Sequence, residues 1–418
     1  MKEHRQNSAP QDRFRVVNIV TSSLTVQFLE GQPEYLKQKN FEIVVVSSPG
    51  KELTKARRRG VQTVAVPIAR EISLCKDLSS LWRLHRAIFW VRPIITNVAT
   101  PKAGLLGGIA AWMCRVPCRY YTLLGLRCET ATGLKRCILL LSERIACRCA
   151  DRVICVSESL RQKAIELGIV CSNRTVVLAS GAYTGVNPSR YAPTQDILRR
   201  ARQIREELHI AGEAPVIGFV GRLTKDKGIT ELIEAYLTLR TDFPHLKLLL
   251  VGDIEEGDPL PPETRRHIKS DTGIIHVGFL QDPAPYYHVM DVLAFPTHRE
   301  GFGNVALEAQ ASGKPVVAAR ATGVVDSVID GVTGILVPIG DASALAQALK
   351  LVLTDRNLAA TLGIAGRERV IREFRQDIVW DALAREYMQF LSTKGLVKAS
   401  NQTRTFLAED PSGSALSL

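Results

Sequence analysis

Residues 292–309 read VLAFPTHREGFGNVALEA, and this stretch decides the fold of the second half of the chain. The apolar run Val292–Phe295 predicts a buried strand. After the glycine-containing loop, a helix is predicted to begin at about Asn304. A strand that leads through such a loop into a helix is part of a βαβ unit, which indicates a parallel sheet. The free amide groups at the start of the helix form a site for an anion such as phosphate.

Two carboxylates accompany this predicted anion site. Glu308 lies about one turn inside the predicted helix, where it can accept hydrogen bonds from the two vicinal hydroxyls of a ribose. Glu300 precedes the helix, at the carboxyl end of the strand, where ligands bind in open parallel sheets. The pattern therefore favours a phosphorylated ligand that also carries hydroxyl groups.

Two other interpretations fit the same residues. The stretch matches the dinucleotide-binding pattern G-x-G-x-x-A, but the next predicted strand ends in Ala318-Ala319-Arg320 and not in the acidic residue that this pattern requires. Alternatively, the glycines only shape a turn, and Glu308 is a solvated residue on the surface of the helix.

A basic loop upstream supplies a second anion-binding cluster, where residues 221–228 read GRLTKDKG. It follows the predicted strand Val216–Val220 and precedes a predicted helix. Arg222 and Lys227 can both reach one diphosphate from this loop, the arginine as a planar fork and the lysine as a point charge. The two loops together predict a site for a diphosphate.

Strands and helices alternate along both halves of the chain, which is typical of parallel βαβ units. The alternation restarts at Val216 after a polar segment. We therefore predict an α/β protein with two doubly wound, Rossmann-like domains, over residues 1–190 and 210–375. Residues 376–395 are predicted to form a helix that packs back on the first domain, and residues 396–418 a loose tail.

The positive charge of the chain is concentrated in its first half. The net charge is +12, and residues 1–190 carry 29 Lys and Arg against 13 Asp and Glu. This excess indicates an anionic partner, either nucleic acid or a lipid surface, or else a basic solvated surface. No recognised nucleic-acid-binding module accompanies the charge. The basic and aromatic segment Leu78–Arg92 either lies on an anionic leaflet or forms a packed layer of the first domain.

Composition indicates a globular protein, with 46% hydrophobic and 23% charged residues. The longest apolar run, Gly104–Cys114, is too short for the roughly 20 residues that cross a bilayer, and no signal-like segment precedes it. We therefore expect a cytoplasmic protein. All nine cysteines lie between Cys75 and Cys171. They are expected to be reduced thiols and not metal ligands, because no C-x-x-C pair is present.

Beyond these local patterns, the ordered set of motifs resembles the retaining glycosyltransferases of family 4, which have the GT-B fold. The resemblance is close from about Val216 to Arg375. Its motifs are Gly221-Arg222-Leu223 with Lys227-Gly228, Asp291-Val292 leading to Pro296, Glu300 and Glu308 with seven residues between them, Gly313-Lys314-Pro315-Val316-Val317, and Asp330-Gly331-Val332-Thr333-Gly334-Ile335-Leu336-Val337. The resemblance implies two domains that face each other across a cleft and close on a nucleotide-sugar donor.

The resemblance also implies roles for the residues of the two loops. Arg222 and Lys227 would bind the donor diphosphate, Glu308 the ribose, and Glu300 the hydroxyls of the transferred sugar. Glu300, Arg222 and Lys227 would carry the catalysis, and no cofactor or metal is expected, since the chain contains no Asp-x-Asp. The full set of implied donor-binding residues is Gly221, Arg222, Lys227, Glu300, Gly301, Phe302, Gly303, Asn304, Val305 and Glu308.

In the first half, residues 100–107 and 157–160 are similar to bacterial members of the family that build lipid-linked capsule, O-antigen or exopolysaccharide. The glycine pair that usually follows the first strand is here Ser22-Ser23. The histidine often found near the active centre is Leu124, which precedes Gly125. The implied acceptor-side residues are Ser22, Ser23, Lys102 and Gly125.

Taken together, the resemblance implies a metal-independent hexosyltransferase, peripheral on the cytoplasmic face of the membrane. It would transfer a hexose or an N-acetylhexosamine from a nucleotide diphosphate donor, a UDP-sugar, to a lipid-linked glycan with retention of anomeric configuration. A nucleotide-sugar epimerase of the same fold and a non-enzymatic protein that binds anions or nucleic acid are the alternatives.

Overall fold

The computed structural model describes residues 13–69, 73–255 and 257–397. Its first part is a seven-stranded sheet in the order β3-β2-β1-β4-β5-β6-β7. The strands are β1 Phe14–Ile19, β2 Phe41–Ser47, β3 Gln62–Ala65, β4 Ile95–Ala99, β5 Cys118–Leu123, β6 Arg152–Cys155 and β7 Thr175–Val176. The helices are α1 Gln32–Gln38, α2 Lys51–Arg58, α3 Leu74–Val91, α4 Pro101–Met113, α5 Gly133–Cys149 and α6 Glu158–Glu166.

The second part is a six-stranded sheet in the order β10-β9-β8-β11-β12-β13. Its strands are β8 Val216–Val220, β9 Lys247–Val251, β10 Ile274–Gly278, β11 Val292–Phe295, β12 Val316–Ala319 and β13 Ile335–Val337. The accompanying helices are α7 Gln195–Glu207, α8 Ile229–Leu239, α9 Pro262–Ser270, α10 Ala284–Val289, α11 Asn304–Ala311, α12 Val324–Ser327, α13 Ala342–Thr354, α14 Arg356–Glu373 and α15 Gln376–Thr393.

Every paired strand of both sheets is parallel to its neighbour. Helices cover both faces of each sheet, so the central strands are largely buried, and β8 is buried at each of its positions. The predicted fold, two Rossmann-like parallel sheets, is confirmed. Each sheet has one point where the strand order reverses, between β1 and β4 in the first and between β8 and β11 in the second.

The last helix, α15, returns to the first sheet. Tyr387 of this helix packs edge-on against Phe41 and Tyr120, with ring centroids 5.6 and 5.1 Å away. Its hydroxyl accepts a hydrogen bond from the Asn97 amide at 2.8 Å. This helix therefore ties the end of the chain to the sheet at its beginning. Most of the predicted tail, residues 398–418, lies outside the described residues.

Two segments differ from their sequence-based interpretation. Leu24, Phe28, Tyr35 and Leu36 recur at helical spacing, which predicts a helix over residues 24–39. The structure instead has a 3₁₀ segment, Ser23–Leu29, followed by α1, because Gly31 between them adopts a left-handed conformation with φ of 85°. The segment before Val216 is predicted only as polar, yet it contains α7. Its N-terminus is capped by the Thr194 hydroxyl, and only Ala201 and Ile204 are buried, too few for a clear helical pattern.

None of the helices in the described ranges combines the length and the apolar character that crossing a bilayer requires.

Candidate functional site

The two predicted anion-binding loops lie side by side where the second sheet reverses its strand order. Residues 221–228 follow β8, and residues 296–303 follow β11. The amide of His298 donates to the Asp226 carbonyl oxygen at 2.9 Å. At Gly228 a side chain would collide with the backbone of Pro296. The carboxyl ends of strands at such a reversal are where open α/β sheets bind their ligands.

Lys227 and Glu300 meet at this junction. The ammonium Nζ of Lys227 contacts Oε1 of Glu300, and both side chains are largely buried, at 13% and 21% exposure. Arg222 is more open, with 51% of its side chain exposed, and it pairs with Glu255. Each of the two predicted diphosphate-binding cations therefore already has a carboxylate partner, and a bound anion would compete with that partner.

The first turn of α11 faces the same junction. The Ala306 amide donates to the Gly303 carbonyl oxygen at 2.9 Å. The amides of Asn304 and Val305, the first two residues of α11, have no carbonyl partner within the helix. Asn304 and Val305 at this turn are partly exposed. The ring of Phe302, by contrast, is 3% exposed and packs on Phe374 with centroids 5.3 Å apart. Phe302 therefore offers a ligand its backbone and not its side chain.

Glu308, in the next turn of α11, is held by two tyrosines. Its Oε2 accepts a hydrogen bond from the Tyr287 hydroxyl at 2.7 Å, and the Tyr191 hydroxyl is a second donor to it. Burial raises the pKa of Glu308, and the two tyrosine hydrogen bonds oppose that shift. A carboxylate has about four acceptor positions, so capacity remains for ligand hydroxyls.

Sequence reasoning did not find these tyrosines. Tyr191 comes from a short 3₁₀ turn in the polar segment between the sheets, and Tyr287 comes from α10. Neither position belongs to a local pattern that signals chemistry. Only the packing of α10 and this turn against α11 places the two hydroxyls at Glu308.

Arg299 and His298 extend the site and were also missed. Arg299 bonds Asp226 at 2.5 Å, and its Nε donates to the Thr130 hydroxyl at 3.0 Å. Thr130 belongs to the first part of the chain, so Arg299 links the two sheets. His298 contacts the Glu231 carboxylate at 2.9 Å, which raises the pKa of the histidine.

The loops after β5 and β6 of the first sheet contact the loop after β11 of the second sheet. Gly125 adopts a φ of 135°, and a side chain there would lie 3.3 Å from the Gly301 amide. A side chain at Gly301 would collide with the Leu124 carbonyl oxygen. These two glycines are required because the backbones of the two halves touch at this point.

Hydrogen bonds join the same loops. The Ser157 hydroxyl donates to the Gly301 carbonyl oxygen at 2.7 Å. The Asp326 carboxylate accepts a hydrogen bond from the Glu158 amide at 3.0 Å. A carboxylate of the second half of the chain therefore caps the start of α6 in the first half. The Thr322 hydroxyl donates to Glu129 Oε2 at 2.7 Å. We call these contacts between the halves the seam.

The other three predicted acceptor-side residues lie at the carboxyl ends of β1 and β4, where the first sheet reverses its strand order. Ser22 caps a 3₁₀ turn by accepting the Leu24 amide at 3.2 Å. Ser23 is buried and accepts the Leu53 amide at 3.0 Å. Lys102 pairs with Asp77 at 2.7 Å. Of the four, Gly125 is the one with a backbone contact across the seam.

In the part of the chain that the structure describes, no group of three or more histidine, cysteine, aspartate and glutamate side chains is arranged to hold a metal ion.

Two family models match the chain. Residues 27–181 match the family described as glycosyl transferase 4-like domain, and residues 214–355 match glycosyl transferases group 1. The first matched segment contains β2 to β7, and the second contains β8 to β13.

Curated relatives agree with these matches. The capsular polysaccharide biosynthesis glycosyltransferase CapM of Staphylococcus aureus is 36% identical over 378 residues, which cover 90% of this chain and 97% of CapM. The lipopolysaccharide core biosynthesis glycosyltransferase LpsE of Rhizobium meliloti is 34% identical over 194 residues, or 46% of this chain and 53% of LpsE.

Solved structures share the fold at lower identity. Anabaena Alr3699/HepE, in complex with UDP and glucose, superposes with a TM-score of 0.74 at 20% identity and covers 90% of this chain and 99% of its own. Sucrose-phosphate synthase from Thermosynechococcus elongatus gives a TM-score of 0.75 at 22% identity, with 91% and 100% coverage.

Proposed function

The chain belongs to the group 1 glycosyl transferases, and we propose that it transfers a hexose or an N-acetylhexosamine from a UDP-sugar to a lipid-linked glycan. CapM and LpsE, by their names, act in capsular polysaccharide and lipopolysaccharide core biosynthesis. The HepE structures contain UDP with glucose, or UDP-glucose. These relatives support a UDP-sugar donor and an acceptor in surface polysaccharide assembly.

One observation carries the donor proposal: the basic loop after β8 and the α11 N-terminus after β11 meet where the sheet reverses. Arg222 and Lys227 belong to the first of these loops, and Lys227 contacts Glu300 of the second, just before α11 begins. A diphosphate needs this kind of distributed positive charge, and the site has both a fork-shaped and a point-like cation. Glu308 lies about one turn further along α11, and we assign it to the ribose of the nucleoside diphosphate.

In the proposed mechanism, the bond between the anomeric carbon and the diphosphate oxygen breaks, and its electron pair goes to that oxygen. Arg222, Lys227 and the α11 amides stabilise the charge that develops there. The acceptor hydroxyl attacks from the face that the diphosphate leaves, so the configuration is retained. Its proton passes to the departing diphosphate, which lies on the same face.

Two carboxylates orient the donor in this mechanism. Glu300 binds hydroxyls of the transferred sugar and, through its contact with Lys227, keeps the ammonium beside the breaking bond. Glu308 binds the ribose, with the hydroxyls of Tyr287 and Tyr191 fixing its orientation. The residues after β1, β4 and β5, including Ser22, Ser23, Lys102 and Gly125, face the acceptor. We also propose that the enzyme works from the cytoplasmic side of the membrane.

A thermal-shift screen of UDP-, GDP- and ADP-sugars tests the donor. A UDP-sugar present at a hundred times its Kd should stabilise the fold by about 2.7 kcal/mol. At the same concentration, Lys227→Ala should reduce that stabilisation to about 1.4 kcal/mol or less. If no nucleotide sugar and no nucleoside diphosphate raises the Tm of the wild type, the donor proposal fails.

Transfer is then measured with the selected donor, radiolabelled in its sugar, and isolated bacterial membranes. Label that moves into the organic-solvent-extractable lipid supports a lipid-linked acceptor. Release of free UDP and a 2-epimer without any acceptor would show an epimerase instead.

A further inference from the structure

Nine large apolar side chains are exposed on three neighbouring helices of the first sheet. Helix α4 packs between α3 and α5, and the three cover one side of the sheet. We call their outer side the α3–α5 face. The exposed side chains on it are Leu78, Trp82, Phe89, Trp90, Trp112, Met113, Leu134, Ile138 and Leu141, each between 42% and 76% exposed.

The architecture of the layer explains why these residues are uncovered. Helix α4 lies deep because its glycines approach the sheet, Gly104 against Tyr121 and Gly107 against Val98. Helix α3 buries Leu84 and Ile88 toward the sheet. Its Trp82, Phe89 and Trp90 lie on the opposite side, where no described part of the chain covers them. Helix α3 therefore packs on the sheet with one side, as one interpretation of Leu78–Arg92 predicts. Its other side is left exposed, as a leaflet-facing segment would require.

The exposed charges on this face are all positive. Seven basic residues are exposed on it, namely Lys76, Arg83, Arg86, Arg92, Arg115, Lys135 and Arg136. The three carboxylates between residues 74 and 149 are engaged elsewhere. Asp77 pairs with Lys102, Glu129 accepts the Thr322 hydroxyl, and Glu143 is buried against the Tyr121 hydroxyl.

Basic and aromatic groups are also interleaved. The Arg86 guanidinium lies over the Trp82 ring, 5.7 Å from its centroid. The first residues of α5, 133–138, are all exposed, and Lys135 and Arg136 lie between Leu134 and Ile138 in this run. Tryptophan prefers the boundary between lipid headgroups and acyl chains, and Arg and Lys can extend from that boundary to lipid phosphates.

We propose that the α3–α5 face docks on an anionic lipid leaflet. Positive charge without a free carboxylate fits anionic headgroups, and the exposed tryptophans fit the apolar region directly beneath them. In a parallel sheet, α3 and α5 begin at the edge that carries the carboxyl ends of the strands and the seam, whereas Trp90 and Trp112 lie near the C-terminal ends of α3 and α4, toward the opposite edge. Docking through the whole face therefore lays both edges of the sheet along the leaflet. Delivery of a lipid-linked acceptor to the seam rests on the proposed function, but the docking does not.

Tryptophan fluorescence gives a site-specific test. Of the four tryptophans, Trp82, Trp90 and Trp112 lie on this face, and Trp380 is 7% exposed. The wild type is mixed at low salt with vesicles of phosphatidylcholine alone, or with about one third phosphatidylglycerol. We expect flotation, a blue shift and quenching by brominated acyl chains with the anionic vesicles, all weakened by salt. Equal behaviour with both vesicles would overturn the proposal.

Matched variants locate the surface. Arg83→Gln, Arg86→Gln and Arg92→Gln together should lower vesicle affinity at least tenfold. The control variant removes the same charge from exposed positions of α7 and α9 and should change vesicle affinity less than twofold. Its substitutions are Arg202→Gln, Arg266→Gln and Lys269→Gln. If the control variant loses as much vesicle affinity, the net charge of the protein and not this face drives binding, and the proposal fails.

A triple variant, Trp82→Ala, Trp90→Ala and Trp112→Ala, tests the apolar component. It should lose at least tenfold in vesicle affinity and should sediment as the wild type does without lipid. If the wild type instead self-associates through these tryptophans, the occupant is a second copy, and the lipid proposal is wrong. A UDP-induced thermal shift, measured in parallel, reports on the proposed function independently of either result.

Discussion

Lys227 and Glu300 form an ion pair between the loop after β8 and the loop after β11, although they are 73 positions apart in the chain. The pair lies where the strand order of the second sheet reverses. It sets an ammonium and a carboxylate at the same point, one suited to a phosphate and the other to sugar hydroxyls.

Separate substitutions in this pair should have different effects. Lys227→Ala removes a diphosphate contact and should weaken UDP binding by about tenfold or more, since a charge-assisted hydrogen bond contributes roughly 1.5–3 kcal/mol. Glu300→Gln leaves that contact in place. It should keep UDP affinity within about threefold but lower kcat for transfer. Isothermal titration with UDP and a transfer assay distinguish the two, and equal losses of UDP binding would contradict the assignment.

Glu308 should discriminate between ribose and deoxyribose. In the wild type, UDP should bind more tightly than 2′-deoxy-UDP. In Glu308→Gln that preference should shrink, because a neutral amide is a weaker acceptor than a carboxylate. Tyr287→Phe should reduce the same preference by loosening the carboxylate, while Tyr286→Phe, a neighbouring tyrosine, serves as the control. A preference that persists unchanged in Glu308→Gln removes the ribose role.

Divalent metal should not be required for transfer. The proposal assigns the diphosphate charge to Arg222, Lys227 and the α11 amides, and the sequence contains no Asp-x-Asp. Activity in excess EDTA is therefore expected to stay within about twofold of the untreated rate. Loss of activity in EDTA that Mg²⁺ or Mn²⁺ restores would show that a metal ion shares this task.

Closure of the seam depends on Gly301. A methyl group there would collide with the Leu124 carbonyl oxygen, so Gly301→Ala should push the loops after β5 and β11 apart. Because the diphosphate contacts belong to the second sheet alone, UDP affinity should change little while kcat falls by roughly a hundredfold. Gly313→Ala controls for backbone strain, since Gly313 has a positive φ of 72° and an added methyl group would meet no atom within 4 Å. Comparable kcat in the two variants would argue against close contact at the seam.

Glu143 gives the fold a dependence on pH. Burial raises the pKa of this carboxyl to about 7, against an ordinary value of 4.5. The folded state therefore binds the proton more tightly than the unfolded state, and stability falls as pH rises from about 4.5 through 7. Glu143→Gln cannot ionise, so its loss of unfolding free energy between pH 5 and 8.5 should be smaller, by on the order of 3 kcal/mol. Urea unfolding at both pH values measures this, and parallel pH profiles would contradict it.

Much of this protein is determined by local sequence. The strand runs and helical spacing predict both parallel sheets, because each element buries an apolar stripe that shows in its own residues. The loops at Arg222 and Glu300 are also predictable, since a phosphate site needs only a strand end, a turn and a helix start. Helix α7 was missed because it buries too few apolar residues to show a helical pattern in its own sequence.

Only the tertiary structure decided which distant residues meet. Tyr191 reaches Glu308, Thr322 reaches Glu129 and Arg299 reaches Thr130, each through the packing of segments far apart in the chain. The same holds for the α3–α5 face, because a helix's own periodicity cannot tell which apolar side chains remain uncovered after its neighbours have packed. Contacts of this kind depend on how whole layers fit together, and no local spacing encodes that fit.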